Sequence, residues 1–331
     1  MTISIIIAVK TWQKNLAQCV AACQNLDYPD FEILIYPDVP IEHDFCDTRI
    51  RVYPTGVVGP AVKRDQALVH ARGEILAFID DDAYPRKDWL SNAVRHFKDP
   101  AVAAVGGPGV TPPESTLLQK VSGAIYASML VSGKYTYRYV PGKLQEVDDF
   151  PSCNLLVRKE VFAAVGGFST DFWPGEDTKL CLDITQTLHK KIIYDPAVLI
   201  YHHRRTSIKR HLQQISNYAL HRGYFVKKFP ATSLRLPYFI PSIFVFGIVF
   251  GAIASWFIPA VRSIYYICLA AYLVPVFVYS VSAGFHDDGN LPRSFQRSAL
   301  ITRTFTGIIL THLSYGLYFL RGLCACKLKE E

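Results

Sequence analysis

The sequence predicts an α/β domain followed by an interfacial helix and a C-terminal helical membrane region, and three observations carry that expectation. Continuous apolar runs bounded by polar residues lie at 3–9 (ISIIIAV), 31–37 (FEILIYP) and 74–80 (EILAFID), as buried parallel strands do. Residues 13–24 and 60–71, between those runs, have helical length with apolar side chains three and four apart, so strand and helix alternate as in a parallel sheet. From residue 237 onward appear the only long charge-free stretches of the chain.

The 331 residues, half of them hydrophobic and carrying a net charge of +7, suffice for one large domain and an appendage. The first apolar run follows no basic segment and no small-residue cleavage site, so it reads as a strand and not as a signal peptide. Segments 239–258 and 264–282 lack charge and each approaches the roughly 20 residues that cross a bilayer as helix. Segment 305–320 is shorter and contains His312, which leaves a full span and a re-entrant or interfacial segment both open. Arg293, Arg297 and Arg303 between the second and third apolar segments, against Arg262 alone between the first two, place the richer side in the cytosol. The expected division is therefore a cytosolic domain at 1–205, a basic amphipathic helix and linker at 206–236, and a multi-pass region at 237–331 in the inner (plasma) membrane. Residues 206–228 support the middle part, with Thr206 or Ser207 as cap and Ile208, Leu212, Ile215 and Ala219 on one face among basic residues. Eight cysteines show no zinc spacing, so reduced thiols are expected, with lipidation of Cys324 and Cys326 as the alternative.

In parallel sheets ligands bind beyond the carboxyl ends of the strands. Asp38 follows the second run directly, and Asp80, Asp81 and Asp82 end the third. Three adjacent carboxylates repel one another unless something positive lies among them. A helix start in AYPRKDWLSNAVRHF absorbs one. A solvated acidic turn fits poorly with so apolar a strand, which leaves a hard divalent cation, Mg²⁺ or Mn²⁺, held by carboxylates and substrate phosphates. No GxxxxGK[ST] or GxGxxG occurs, so neither a P-loop nor a dinucleotide site is indicated. Segments 108–113 and 133–142 read as loops, the second carrying the aromatic, basic KYTYRYVPG, a surface loop unless it stacks on a sugar.

The stretch GPAVKRDQALVHARGEILAFIDDDAYPRKDWL (59–90) resembles the donor-binding segment of family 2 inverting glycosyltransferases of the GT-A fold, with Asp80 and Asp82 in the D-x-D positions. The resemblance implies that Asp80 lies near the donor's ribose or sugar, that Asp82 ligates the metal on the diphosphate, and that Lys63, Arg64 and Asp81 belong to the donor site. CNLLVRKEVFAAVGGFSTDFWPGEDTKLCLDI (153–184) is similar to the acceptor segment, where GED opens a helix supported by Leu180, Ile184 and Leu188. It implies Asp177 as the base, with Glu176 supporting the acceptor, although carboxylates there also act as caps. IIYDPAVLIYHHRRTSIKRHL (192–212) matches the place where related enzymes carry a metal or diphosphate histidine, His202 first and His203 next; Arg204 and Arg205 would neutralise phosphate or face lipid headgroups.

The chain departs from the family where the first strand runs into Ala8, Val9, Lys10 and Thr11 and the second into Pro37 and Asp38; Asp38 remains the candidate for the nucleobase. The processive Q-x-x-R-W signature is absent, so single transfers are implied. The resulting expectation is a membrane-anchored inverting glycosyltransferase that moves one sugar from a nucleotide-diphosphate sugar, UDP-sugar foremost, to a hydroxyl of a lipid-linked saccharide. Exopolysaccharide, cell-envelope glycan and glycolipid synthesis are the settings, with no nucleic-acid partner. The alternatives are a polyprenyl-phosphate glycosyltransferase, which needs no base, and a sugar nucleotidyltransferase, which would show a Gly-rich N-terminal loop.

Overall fold

In the computed structural model, which describes residues 1–168, 172, 174–285 and 294–328, the three apolar runs become β1 (Ile3–Ala8), β2 (Phe31–Tyr36) and, after β3 (Ile50–Val52), β4 (Ile75–Ile79). The chain continues through β5 (Ala83–Pro85), β6 (Val102–Gly106), β7 (Gly109–Val110), β8 (Gln145–Val147), β9 (Asn154–Arg158), β10 (Lys191–Tyr194) and β11 (Ile200–His202). Eight strands form one sheet in the order β3-β2-β1-β4-β9-β6-β10-β8, and β5-β11-β7 form a second, smaller one.

β1, β2 and β4 run parallel, with Ile3 opposite both Phe31 and Ile75. The sheet as a whole is mixed, a correction to the parallel sheet expected: β9 runs antiparallel to β4 and to β6, and β8 antiparallel to β10. Successive side chains of a strand point to opposite faces, and here both faces are covered. Ile5, Ile7, Ile33 and Ile35 pack with Leu16, Cys19, Val20 and Cys23 of helix Lys14–Gln24. Ile6, Leu34, Leu76 and Phe78 pack on the other face with Ala67, Phe162, Phe168 and Leu180. That double coverage is why the strands read as continuous apolar runs.

The single helix expected at 60–71 is instead two short ones, Pro60–Asp65 and Ala67–His70. The loop expected at 108–113 contains β7, and the one at 133–142 begins as a 3-10 helix, Gly133–Arg138. At the end of β6 only glycine fits: a Cβ on Gly107 would run into the Val198 carbonyl oxygen.

The chain divides into two units. The first comprises 1–112 and 137–203, and the second comprises 113–136 and 204–328. The second is helical. Ser207 caps helix Ile208–Lys228 by accepting from the Arg210 N–H at 3.2 Å. Its buried Ile215 and Ala219 are followed by Gly223, which abuts the backbone of helix Ser294–Cys324 at Phe319, while Gly322 of that helix abuts Leu220. His211 ties three helices together, its Nδ1 2.8 Å from Ser122 Oγ of helix Leu117–Ala127 and its Nε2 3.1 Å from Thr311 Oγ1.

Among the described residues two helices are long and apolar enough to cross a membrane, Leu236–Phe257 and Pro259–Phe285. They contain the two charge-free segments but for Ile258, which follows the first helix. Segment 305–320 lies within the longer, more polar helix Ser294–Cys324. Arg297 and Arg303, expected in a connecting loop, lie in that helix too, and Arg293 falls outside the described residues.

Candidate active site

Because β1, β2 and β4 run parallel, the residues that follow them emerge at one edge of the sheet. Helix Pro60–Asp65 supplies two neighbouring cations to that edge. Lys63, 3% exposed, donates from Nζ to the Val9 carbonyl and to the Asp38 carboxylate. Arg64, 6% exposed, holds Asp80 through Nη2 at 2.7 Å and Glu176 through Nη1 at 2.9 Å, with its guanidinium 5.6 Å over the Phe168 ring. Part of the positive charge among the aspartates is thus the protein's own, and one arginine links the D-x-D to the GED.

The other two aspartates are held differently. Asp81 accepts from the Gln13 amide, while burial and then the charges of Asp82 and Asp80 raise its carboxyl to about 6. Asp82 Oδ1 lies 3.0 Å from His202 Nε2. The small sheet makes that pairing, since β11 runs antiparallel to β5 with His202 opposite Ala83. Burial alone would lower the His202 pKa, but the Asp82 carboxylate, with a contribution from Cys153, outweighs it and raises the imidazolium to about 10. His203 turns away and meets Gln18 Oε1 at 2.8 Å. His202 is therefore the histidine at this cluster.

One ligand atom each from Asp80, Asp82 and His202 lie within 4.8 Å of one another, and all three residues are partly exposed. Two carboxylate oxygens, with the imidazole nitrogen once a bound cation has displaced its proton, suit a divalent cation of the Mg²⁺ or Mn²⁺ kind.

Beyond the Arg64 bridge lies Asp177, in the first turn of helix Glu176–Leu182. The chain enters that helix through Gly175 at φ 131°, a conformation side-chain-bearing residues rarely adopt. Asp177 accepts from its neighbour Thr178 N–H at 2.8 Å and from Ser152 N–H at 3.4 Å. Burial first, and then the Glu176 and Asp149 charges, raise its carboxyl to about 7, against a smaller lowering by Arg138. Asp149, 3% exposed, accepts from Thr178 Oγ1 at 3.3 Å and pairs with Arg138 at 3.5 Å. No motif marked Asp149 or Gln13, and Cys153 only opened the 153–184 segment with no role assigned to it. Arg204, expected on the donor, begins the helical unit, where its guanidinium lies 5.5 Å over the Tyr126 ring.

Residues 4–166 match the profile of Glycosyl transferase family 2. The chain carries a glycosyl transferase family 2 domain. The D-x-D lies inside the matched stretch, and Glu176, Asp177 and His202 lie beyond it. Among curated relatives, the pre-mycofactocin glycosyltransferase of Mycobacterium tuberculosis strain H37Rv is 26% identical over 215 residues, 62% of this chain and 44% of that protein. The chain thus spans under half the length of that relative. The dolichyl N-acetyl-α-D-glucosaminyl phosphate 3-β-D-2,3-diacetamido-2,3-dideoxy-β-D-glucuronosyltransferase of Methanococcus voltae is 23% identical over 245 residues, 68% of this chain and 74% of that one. A solved structure, the mannosyltransferase PcManGT from Pyrobaculum calidifontis in complex with GDP-Man and Mn²⁺, superposes with a TM-score of 0.54 at 19% identity, covering 96% of this chain and 86% of that one. The family 2 domain has the GT-A fold.

Proposed function

We propose that the protein is a membrane-anchored inverting glycosyltransferase that moves one sugar from a nucleotide-diphosphate sugar to a hydroxyl of a lipid-linked saccharide. The observation that carries this reading is one edge of one sheet holding two kinds of acid. Asp80 and Asp82 are clustered with His202, and across the Arg64–Glu176 pair stands Asp177, whose carboxyl is raised to about 7.

Asp80, Asp82 and His202 would hold Mn²⁺ or Mg²⁺, which when bound neutralises charge on the leaving diphosphate. Asp38, fixed by Lys63, and Asp81, fixed by Gln13, line the donor side. Asp177 takes the proton of the acceptor hydroxyl, and a base is best tuned when its pKa lies near the working pH. Glu176, pinned by Arg64, sets the start of the helix that presents Asp177. A phosphate acceptor would need no base, so Asp177 favours a hydroxyl over the polyprenyl-phosphate alternative. The name of the Methanococcus voltae relative, with a dolichyl-linked sugar phosphate in it, supports an acceptor carried on lipid.

Release of nucleoside diphosphate from a panel of UDP- and GDP-sugars, assayed with Mn²⁺ and a lipid extract, should occur for one donor and stop on chelation. Release from none of them, or release indifferent to chelator, would overturn the reading. Two spans with the catalytic unit in the cytosol predict that a membrane-impermeant maleimide on intact cells spares exposed Cys46 and an introduced Phe295→Cys alike. Modification of either from outside would refute that topology.

A further inference from the structure

The two apolar helices of the second unit form a hairpin. Phe244 packs on Tyr272 with ring centroids 4.2 Å apart, and a Cβ on Gly251 would meet the Tyr265 ring at 2.8 Å, so position rises along Leu236–Phe257 as it falls along Pro259–Phe285. A third span beside such a hairpin runs antiparallel to its second helix and therefore parallel to its first.

Helix Ser294–Cys324 runs antiparallel to both. Along Pro259–Phe285, the Arg297 guanidinium lies 4.8 Å over the Phe285 ring, Phe277 meets Phe305 with centroids 6.1 Å apart, and the Tyr272 hydroxyl lies 2.8 Å from His312 Nδ1. The contacts then pass to the first helix. Phe244 faces His312 at 6.1 Å, Ser242 Oγ donates to the Gly316 carbonyl at 2.9 Å, and Phe239 packs on Phe319 at 4.9 Å. As this helix advances, its partners fall from Phe285 to Tyr272 and then from Phe244 to Phe239, so both its ends lie toward the open end of the hairpin. Proline interrupts and bends a helix, and each apolar helix carries one within this stretch of contacts, Pro241 and Pro275, which lets its end follow the third helix. Helix Ile208–Lys228 lies along the same helix in the same direction, His211 at Thr311 and Gly223 at Phe319.

The surface of Ser294–Cys324 agrees with that course. Thr302, Arg303, Thr306, Leu310, Leu317 and Arg321 are exposed and lie three, four or seven positions apart, on one stripe. Across a bilayer this stripe would put an arginine and two threonines among acyl chains. Along a leaflet, arginines meet headgroups and leucines the acyl boundary.

We propose that helix Ser294–Cys324 lies along one leaflet instead of crossing it, on the side of the hairpin's open end, and presents this stripe to lipid headgroups. That the hairpin is in a membrane, with its open end cytosolic, rests on the function proposed above.

The test uses the full chain with exposed Cys46, Cys268, Cys324 and Cys326 changed to serine and single cysteines put in their place. On intact cells a membrane-impermeant maleimide should modify Ile258→Cys, between the two apolar helices, and should reach neither Phe295→Cys nor a restored Cys324 until the membrane is opened. Modification of Cys324 from outside, with Phe295→Cys spared, is the mark of a third span and overturns the proposal. In phosphatidylcholine nanodiscs, nitroxides on Arg303→Cys, Leu310→Cys and Leu317→Cys are read for depth by collision with oxygen and with a nickel chelate. The three should report one shallow depth, whereas a spanning helix carries the label through about 21 Å between the first and the last, at 1.5 Å per residue. A graded depth, or signals as aqueous as those of a label on Cys46, overturns the proposal. Phe250→Cys and Tyr266→Cys, exposed on the hairpin, should report deep positions. If these two are deep while the stripe is graded, only this inference fails; if they too are aqueous, the membrane anchoring fails and takes the inference with it.

Discussion

Asp82→Ala should abolish sugar transfer and the metal-dependent part of donor binding while leaving the domain folded. The carboxylate is one of three groups that converge on the candidate cation site, and its Oδ1 lies 3.0 Å from His202 Nε2. Removing it costs the fold the charge-assisted hydrogen bond to His202 at a partly exposed position, roughly 1.5–3 kcal/mol before solvent screening reduces it. It costs the metal a ligand that no neighbour replaces, since Asp80 is engaged by Arg64 and Asp81 by Gln13. Calorimetric titration of the donor with and without chelator reads this directly. Donor affinity indifferent to chelator in the wild type would sink the assignment, as would an Asp82→Ala protein that still turns over.

Asp177→Asn should bind donor normally and lose roughly 10²-fold or more in turnover, the usual contribution of a general base. Burial raises this carboxyl to about 7, and transfer needs it ionised, so kcat/KM of the wild type should climb with pH to a plateau above about 7. The variant should show no such climb. Stability supplies an independent check with the opposite sign. A carboxyl whose pKa is raised in the folded state loses stability as pH rises from its unfolded value toward about 7, so Asp177→Asn should be at least as stable as wild type at pH 8. A purely capping role predicts something else, because asparagine caps as well as aspartate. Near-normal turnover at saturating donor and acceptor would return the GED to architecture.

The sequence made parts of this fold plain for a physical reason. β1, β2 and β4 are buried on both faces, so their composition alone announces them. β9 was hidden because its apolar run, Leu155 to Val157, is only three residues long, and strand Asn154–Arg158 passes directly into helix Lys159–Ala164 with no Gly or Pro to mark the change. Nothing local states its direction; the route of the chain does. Helix Leu117–Ala127 carried a legible start in Thr116 and Gln119, whose side chain accepts from the Thr116 N–H at 3.0 Å.

At the site, residue types were legible and partnerships were not. Arg64 meets Glu176 across 112 positions, and no spacing rule reaches that far. Adjacent residues of a strand face opposite ways, so the choice between His202 and His203 waited on a register set by Ala83. Asp149 lies in no motif, and only folding brings it beside Thr178 and the charge of Asp177.

The central position of β9 also governs how the protein must be born. β6 bonds to β9 and β10 alone, and the second edge of β4 belongs to β9, yet both partners are translated after them. While the ribosome works from Gly106 to Asn154, at roughly 5–20 residues per second, the emerging chain presents one open edge on β4 and a β6 with no partner. His202 arrives later still, so the acidic cluster is the last part of the first unit that the nascent chain completes. A ribosome that stops within that interval therefore leaves a pair of adhesive strands behind it and no smaller domain able to stand by itself.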